Sequence, residues 1–244
     1  MTPLLKSIIE KRMVEDEKGN AFSLHSETSV SQCEFIQKMM EKCDPSCCVE
    51  IGLAYGISSL SICESLSKKR SPRFISVDPF QSYWKDIGLL NLKRGGYDTF
   101  TEFHRDFSYN VLPKLLDSGL RIDFAYVDTS KVFDVVLLDA VYLTRLLKVG
   151  GIIVFDDCTW PGVKRMARYV AKWPHLKIVG RHGELNTGRK LRLVSKFAKM
   201  LPQNQKIFRD DLLSLDEDCG INAHCIAFEK VAEDSRGWDW NSDF

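Results

Sequence analysis

The chain has no apolar run near the ~20 residues needed to cross a bilayer, so no membrane-spanning helix is expected in its 244 residues. It opens on MTPLLKSIIEKRMVEDE, where apolar and charged residues alternate and no apolar h-region forms, which argues against a secretory signal. Neither sign of charge is in excess. With 34 basic and 33 acidic residues, the electrostatic footprint of a nucleic-acid binder is missing, and so is an N-P-P-Y-type amine-recognition motif. Cys43, Cys47 and Cys48 lie close together, but no second pair at zinc spacing follows. Internal repeats and long linkers are absent too. A single α/β domain accounts for this length, with roughly 70–75% of the unfolded surface buried.

The eight cysteines, Cys33, Cys43, Cys47, Cys48, Cys63, Cys158, Cys219 and Cys225, mostly sit inside apolar patterns, where Cys acts as a small buried hydrophobe. Reduced thiols of this kind point to a cytoplasmic protein.

The stretch 47–59, CCVEIGLAYGISS, organises the rest. The apolar run from Cys47 to Ile51, carrying Glu50, reads as a strand. Gly52 and Gly56 make a turn, and Ser58 and Ser59 open a helix. Glycines let the backbone turn sharply and let a ligand approach without meeting a Cβ, while the helix start offers unpaired N–H groups. A dinucleotide binder needs G-x-G-x-x-G, so that a pyrophosphate can touch backbone and helix dipole. This loop reads E-x-G-x-x-x-G and lacks the second close-approach glycine. Its acid would repel a pyrophosphate but suits a cation. An ordinary αβ turn with glycines at tight spots is the plainer alternative. The stretch resembles motif I of the class I methyltransferases, whose cofactor, S-adenosylmethionine, carries a sulfonium and an ammonium and no phosphate. That resemblance implies that Glu50, Gly52 and Gly56 surround the methionine part of the cofactor, with Tyr55 and Ser58 in the same site.

Taken in order, residues 3–14 read as a helix and 15–27 as a polar connection, in which His25, Ser26 and Glu27 cap the next helix or reach the ligand mouth. From about 30 to 42, Val30, Cys33, Ile36, Met39 and Met40 share one face, so this helix packs on the core. The helix after the glycine turn runs to about 69. Residues 73–80, RFISVDPF, form a second strand, apolar until Asp78. In a doubly wound sheet an acid there meets the ribose hydroxyls, with Pro79 next to it in the cofactor site; capping a turn is the alternative. Residues 81–99 are a helix and loop, with Trp84 a packing or lid residue. Residues 100–105 are a third strand, with His104 a strand histidine. In methyltransferases of this type the residues that follow flank the adenine, a place held here by Phe107, Ser108 and Tyr109.

Two stretches compete for the fourth strand, RIDFAYVD at 121–128 and FDVVLLDA at 133–140, ahead of a fifth at 150–158, GGIIVFDDC. A parallel crossover needs about a dozen residues, which selects 121–128 and leaves 133–148 for a helix. A helix over 161–173, a strand over 175–181 and an irregular charged stretch, 183–222, follow. That stretch holds a basic amphipathic piece, GRKLRLVSKFAKM, read as a solvated helix or a lid. The last strand is 223–230. The tail, with Trp238, Trp240 and Phe244, has to dock on its own body or on a second subunit, which would make a homodimer.

Asp128 ends the fourth strand, and Asp156 and Asp157 end the fifth. Neighbouring strands lie about 4.8 Å apart, and their carboxyl ends open onto the ligand crevice of such a sheet. Carboxylates that close raise one another's pKa unless a cation compensates, and Mg²⁺ prefers oxygen ligands while keeping places for water or substrate. Asp128, Asp156 and Asp157 are therefore expected to hold Mg²⁺; the alternative is that they cap local turns.

The order Asp128-Thr129-Ser130-Lys131, then Asp156-Asp157, is similar to that of the catechol O-methyltransferase group. There an Asp and an Asp-Asn pair bind the metal and a Lys three positions past the first Asp is the general base. Asp128, Lys131 and Asp156 match that pattern, and Asp157 replaces the Asn. A broader methyltransferase family has D-G-x-H at the fourth strand, so the departure here puts Lys131 in place of the His. The resemblance covers roughly 26–181 and the last strand, and implies a mainly parallel seven-stranded Rossmann-like α/β sheet with its last strand reversed. The implied activity is S-adenosylmethionine-dependent methylation of a small-molecule hydroxyl, with Lys131 and Asp128 catalytic. Metal-free N- or O-methylation and a non-catalytic cofactor-binding protein are the rival readings.

Overall fold

The computed structural model describes residues 1–25, 28–185 and 216–242. A short helix, α1 (Pro3–Lys11), leads into a hairpin of β1 (Met13–Glu15) and β2 (Ala21–Ser23). The sequence reading has a polar connection here. Three-residue strands are too short to display an alternation, and the turn between them is built by one side chain: Asp16 Oδ1 accepts from the N–H groups of Lys18 and Asn20, each at 2.9 Å. Helix α2 (Val30–Cys43) starts at Ser29 through a reciprocal cap with Gln32, so Ser29, not His25, is the cap. Ser26 and Glu27 lie outside the described residues.

Seven strands make the main sheet: β3 (Cys47–Ile51), β4 (Arg73–Val77), β5 (Thr101–His104), β6 (Ile122–Val127), β7 (Leu147–Phe155), β8 (Leu176–Glu184) and β9 (Ala223–Lys230). Their order is β5-β4-β3-β6-β7-β9-β8. The first five are parallel, and β9 runs antiparallel to both its neighbours. The strands alternate apolar residues toward two helical layers. Cys48, Phe124, Tyr126, Ile152 and Val154 pack with α2 and α3 (Ile57–Leu66). Val49, Ile51, Ala125, Val127, Ile153 and Phe155 pack with α5 (Ser108–Asp117), α6 (Phe133–Leu146) and α7 (Pro161–Val170). A further helix, α4 (Ile87–Arg94), covers the β3–α3 turn.

The stretch FDVVLLDA is helical, within α6, as the crossover length requires. Strand β7 begins three residues earlier than expected. Its pairing with β6 shifts between Ile122 and Phe124, and a bulged start of this kind hides the period-2 pattern. The basic piece at 188–200 and Phe244 lie outside the described residues. The rest of the tail docks on its own body: the Arg236 guanidinium lies 4.1 Å from the Trp173 ring centre and 4.9 Å from that of Trp240, while Trp238 is 99% exposed. Among the described residues no helix is long and apolar enough to cross a membrane.

Chain direction out of the sheet reverses between β3 and β6: β4 and β5 lie on one side of β3, and β6 and β7 on the other. Such a switch point opens a crevice beyond the carboxyl ends of the strands.

Candidate active site

The crevice is floored by the turn after β3. Asp128 N–H donates to Ile51 O at 2.9 Å and Asp156 N–H to Val127 O at 3.0 Å, so the ends of β3, β6 and β7 are laced together. Gly52 crosses this seam at φ +96°, and a Cβ there would lie 1.8 Å from Asp128 O. Asp78, at the end of β4, holds the same turn: its Oδ2 accepts from Leu53 N–H at 3.1 Å, Ala54 N–H at 2.9 Å and Gln81 Nε2 at 2.8 Å, and its Oδ1 from Phe80 N–H at 2.7 Å.

A cavity of about 490 Å³ opens above. Gly52 and Ala54 line it from the turn, Asp78, Pro79 and Phe80 from the segment after β4, and Phe107, Ser108 and Tyr109 from the start of α5. Asp128, Thr129 and Ser130 come from the segment after β6, with Trp84 and Val135 completing the wall. Six of the expected cofactor residues, Gly52, Asp78, Pro79, Phe107, Ser108 and Asp128, thus share one cavity. Exposed aromatic rings cluster beside it, Phe107 lying 5.8 Å from Phe80 and 5.1 Å from Tyr109 between ring centres.

The other four expected cofactor residues stand behind the turn. Glu50 is fully buried and accepts hydrogen bonds from the hydroxyls of Ser58, at 2.7 Å, and Ser59. Gly56 caps α3 at φ +78°. The Tyr55 hydroxyl bonds His25 Nε2 at 3.1 Å, and its ring packs edge-on against Trp84. Burial pushes the Glu50 carboxyl up to about 8, against the pull of its two serines, so at neutral pH it is an uncharged acid and the carboxylates that face the cavity are Asp78 and Asp128.

Glu50 has a measurable consequence. A carboxyl whose pKa is higher folded than unfolded binds more protons in the native state between the two values, so its contribution to stability falls as pH rises through that window. Glu50→Gln removes the titration. Between about pH 4.5 and 8 the parent is expected to lose on the order of 4 kcal/mol relative to the variant, read from urea unfolding at each pH. Parallel stability curves would show that Glu50 is ionised throughout.

The acidic corner is arranged differently from a simple triad. Lys131 Nζ lies 2.7 Å from Asp128 Oδ1 and 2.7 Å from Asp157 Oδ2. Burial pulls the lysine pKa down, but the two carboxylates outweigh it and the net direction is up. Between these two acids, with no ion present, Lys131 is an ammonium. Asp128 goes up as well, through burial reinforced by Asp156 and Asp157 against the pull of Lys131. The third acid, Asp156, is 6% exposed and faces inward. Its Oδ2 accepts from the Tyr126 hydroxyl at 2.7 Å, Gln32 Nε2 bridges both oxygens at 3.2 and 3.1 Å, and Oδ1 takes Asp157 N–H at 2.7 Å and Cys225 Sγ at 3.0 Å. Asp157 does not cap α7, whose N-cap is Trp160.

Several of these residues escape a sequence reading. Gln32 reads as a surface polar residue of α2, and its only signal is its place in the cap with Ser29. Tyr126 sits inside β6, one residue from its end, and His224 and Cys225 belong to the last strand, far along the chain. Asp139, in α6, is fully buried; burial raises its carboxyl to about 6, with the Ser108 hydroxyl pulling the other way.

Residues 49–158 match the family described as a methyltransferase domain. The fold agrees: an O-methyltransferase from Bacillus cereus, solved in complex with SAH, superposes with a TM-score of 0.61 over 73% of this chain and 83% of that one, at 16% identity. The chain has the Rossmann-like fold of these methyltransferases. Proteins similar in sequence include a putative caffeoyl-CoA O-methyltransferase of Arabidopsis thaliana, 29% identical over 159 residues, or 65% of each chain. Tapetum-specific methyltransferase 1, from the same plant, is 30% identical over 134 residues, 54% of this chain and 55% of that one. The chain thus spans between about half and two thirds of these relatives' lengths. The matched region contains the glycine turn, Asp78, Ser108, Asp128, Lys131, Asp156 and Asp157, and it ends before β8 and β9.

Proposed function

We propose that this protein transfers a methyl group from S-adenosylmethionine to a hydroxyl of a small molecule, in the cytoplasm, with Mg²⁺ assisting. The observation that carries the reading is the shared cavity: a glycine turn without the pyrophosphate pattern, fronted by the carboxylates of Asp78 and Asp128. The O-methyltransferase relatives and the SAH complex of the Bacillus cereus protein support it. All eight cysteines are unpaired, as expected of a reducing compartment.

In this reading Asp78 Oδ1, which has one donor where Oδ2 has three, keeps acceptor capacity for ribose hydroxyls. Pro79, Phe107 and Ser108 take the nucleoside, and Gly52 and Asp128 the methionine end. Glu50, Tyr55, Gly56 and Ser58 set the shape of the turn from behind. Bound there, the cofactor supplies an electrophilic methyl group. The chain's contribution is to hold an acceptor oxygen in line with it, which lowers the barrier by positioning.

The metal is tested by its donors. Oxygens of Asp128 and Asp157 already converge on one cation, the Lys131 ammonium, and Asp156 is joined to Asp157 through its backbone. Asp128 and Asp157 suit a hard divalent ion and would hold it, and Asp156 would join them only by giving up some of its bonds to Tyr126, Gln32 and Cys225; such an ion would supply Lewis-acid polarisation of the acceptor hydroxyl. Sharing the two carboxylates would release Lys131 from them and let its pKa fall, the condition for it to accept the hydroxyl proton. The same ion pairs favour a second reading, in which Lys131 alone neutralises the acids and transfer is metal-free. Activity that survives EDTA would select it.

The test is binding of S-adenosylhomocysteine. At a hundredfold excess over its Kd a ligand specific to the native state adds about 2.7 kcal/mol of stability, visible as a raised Tm, and NADH should add none. A flat melting temperature and no calorimetric heat with S-adenosylhomocysteine overturn the proposal.

A further inference from the structure

Asp156 faces two donors that an all-oxygen ion has no use for. His224 Nε2 lies 3.3 Å and Cys225 Sγ 3.0 Å from Asp156 Oδ1, and one donor atom from each of the three residues falls within 4.8 Å of the others. Asp157 Oδ1 is 3.5 Å from the same imidazole nitrogen. Tetrahedral zinc has ligand distances of about 2.0–2.3 Å, which sets the edges between donors at about 3.4–3.6 Å. The distances of 3.0, 3.3 and 3.5 Å already lie within about half an ångström of that figure before any ion enters. The carboxylate is also oriented in advance, since Tyr126 and Gln32 both donate to it from buried positions, as outer partners do around metal ligands. His224 is partly exposed, which gives an ion a way in.

We propose that Asp156, His224 and Cys225, with Asp157 as fourth donor, form a binding site for a borderline-soft divalent cation of the Zn²⁺ class. Imidazole and thiolate select Zn²⁺ or Co²⁺ over Mg²⁺, which they serve poorly. On binding, the Cys225 S–H bond breaks, sulfur keeps the electron pair and bonds the metal, and the proton leaves to solvent. The site differs from the oxygen set in using β9 in place of Asp128, and it does not depend on the protein's being a methyltransferase. Because Asp156 belongs to both sets, Zn²⁺ here would compete with any hard ion at Asp128.

The experiment titrates the purified full-length chain with Co²⁺ and then Zn²⁺. One equivalent of Co²⁺ should give a near-ultraviolet sulfur-to-metal charge-transfer band, which Zn²⁺ removes and millimolar Mg²⁺ leaves in place. Calorimetry in buffers of different ionisation enthalpy should count the released proton. Cys225→Ser should lose the band, and His224→Ala should weaken binding strongly. Asp128→Asn, outside this set, should keep the band. Tyr126→Phe, which leaves every ligand in place, should cost about tenfold in affinity. A band that persists in Cys225→Ser would assign the metal to another thiol and overturn the proposal, as would the absence of any Co²⁺ binding. Thermal melts of each variant without metal identify misfolded ones, and Tyr126→Phe and His224→Ala give independent readings if Cys225→Ser melts early.

Discussion

Gly52→Ala is expected to abolish S-adenosylhomocysteine binding and to lower stability by about 3 kcal/mol or more. Its φ of +96° is one that side chains rarely adopt, and the added Cβ would sit 1.8 Å from Asp128 O and 2.8 Å from Asp128 C. Both are backbone atoms at the end of β6, so no rotamer change relieves the overlap. Either β3 backs away from β6, breaking the Asp128 N–H to Ile51 O bond, or the segment carrying the Asp128 carboxylate shifts out of the cavity wall. Gly96→Ala is the control. Gly96 has a similar positive φ, +74°, but nothing lies within 4 Å of a Cβ built there, so it should show backbone strain alone, about 1 kcal/mol. Urea unfolding and calorimetric titration of both variants check this. Equal losses in the two would mean that the contact with Asp128 has no bearing on the site.

Lys131→Ala is expected to lower kcat by about 100- to 10,000-fold, the range for a lost proton acceptor, with S-adenosylhomocysteine affinity changed only a few-fold. Its ammonium bridges Asp128 and Asp157 at 2.7 Å each, so the substitution removes both a candidate base and a neutralising charge. Lys131→Arg separates the two roles. Arginine keeps the charge but does not give up a proton at working pH. If neutralisation is what matters, arginine restores most of the rate; if proton transfer matters, it stays as slow as alanine. Unchanged turnover in the alanine variant would remove Lys131 from the chemistry. Rates are compared at saturating cofactor, so that a change in affinity is not mistaken for a change in the reaction.

The parallel half of the fold was legible because four of its five strands are apolar runs with an acid at or close to the end. Glu50, Asp78, Asp128 and Asp156 mark the ends of four strands in the order the chain visits them. The cavity follows, since strand ends are where such a sheet opens. Side-chain direction was not legible. Glu50 and Asp78 look alike in the sequence, yet one points under the turn at two serines and the other takes its backbone N–H groups. Which way an acid turns depends on donors brought in by distant segments. Asp156 faces Gln32 from α2 and Cys225 from β9, 124 and 69 residues away, and no spacing rule joins those positions. Lys131 is a related case: its pKa answers to two carboxylates at once, and the second, Asp157, comes from the next strand. The hairpin of β1 and β2 was not legible because a three-residue strand is too short to display an alternation.

Asp78 fastens the turn after β3 and the segment after β4 with a single carboxylate. Two loops from separate strands therefore behave as one plate, and neither can be reshaped by mutation without disturbing the other. Thr129, Ser130 and Val135 line the opposite side of that cavity. Evolution, or an engineer wishing to change which molecules the cavity accepts, has its freedom on that side, while the plate stays fixed.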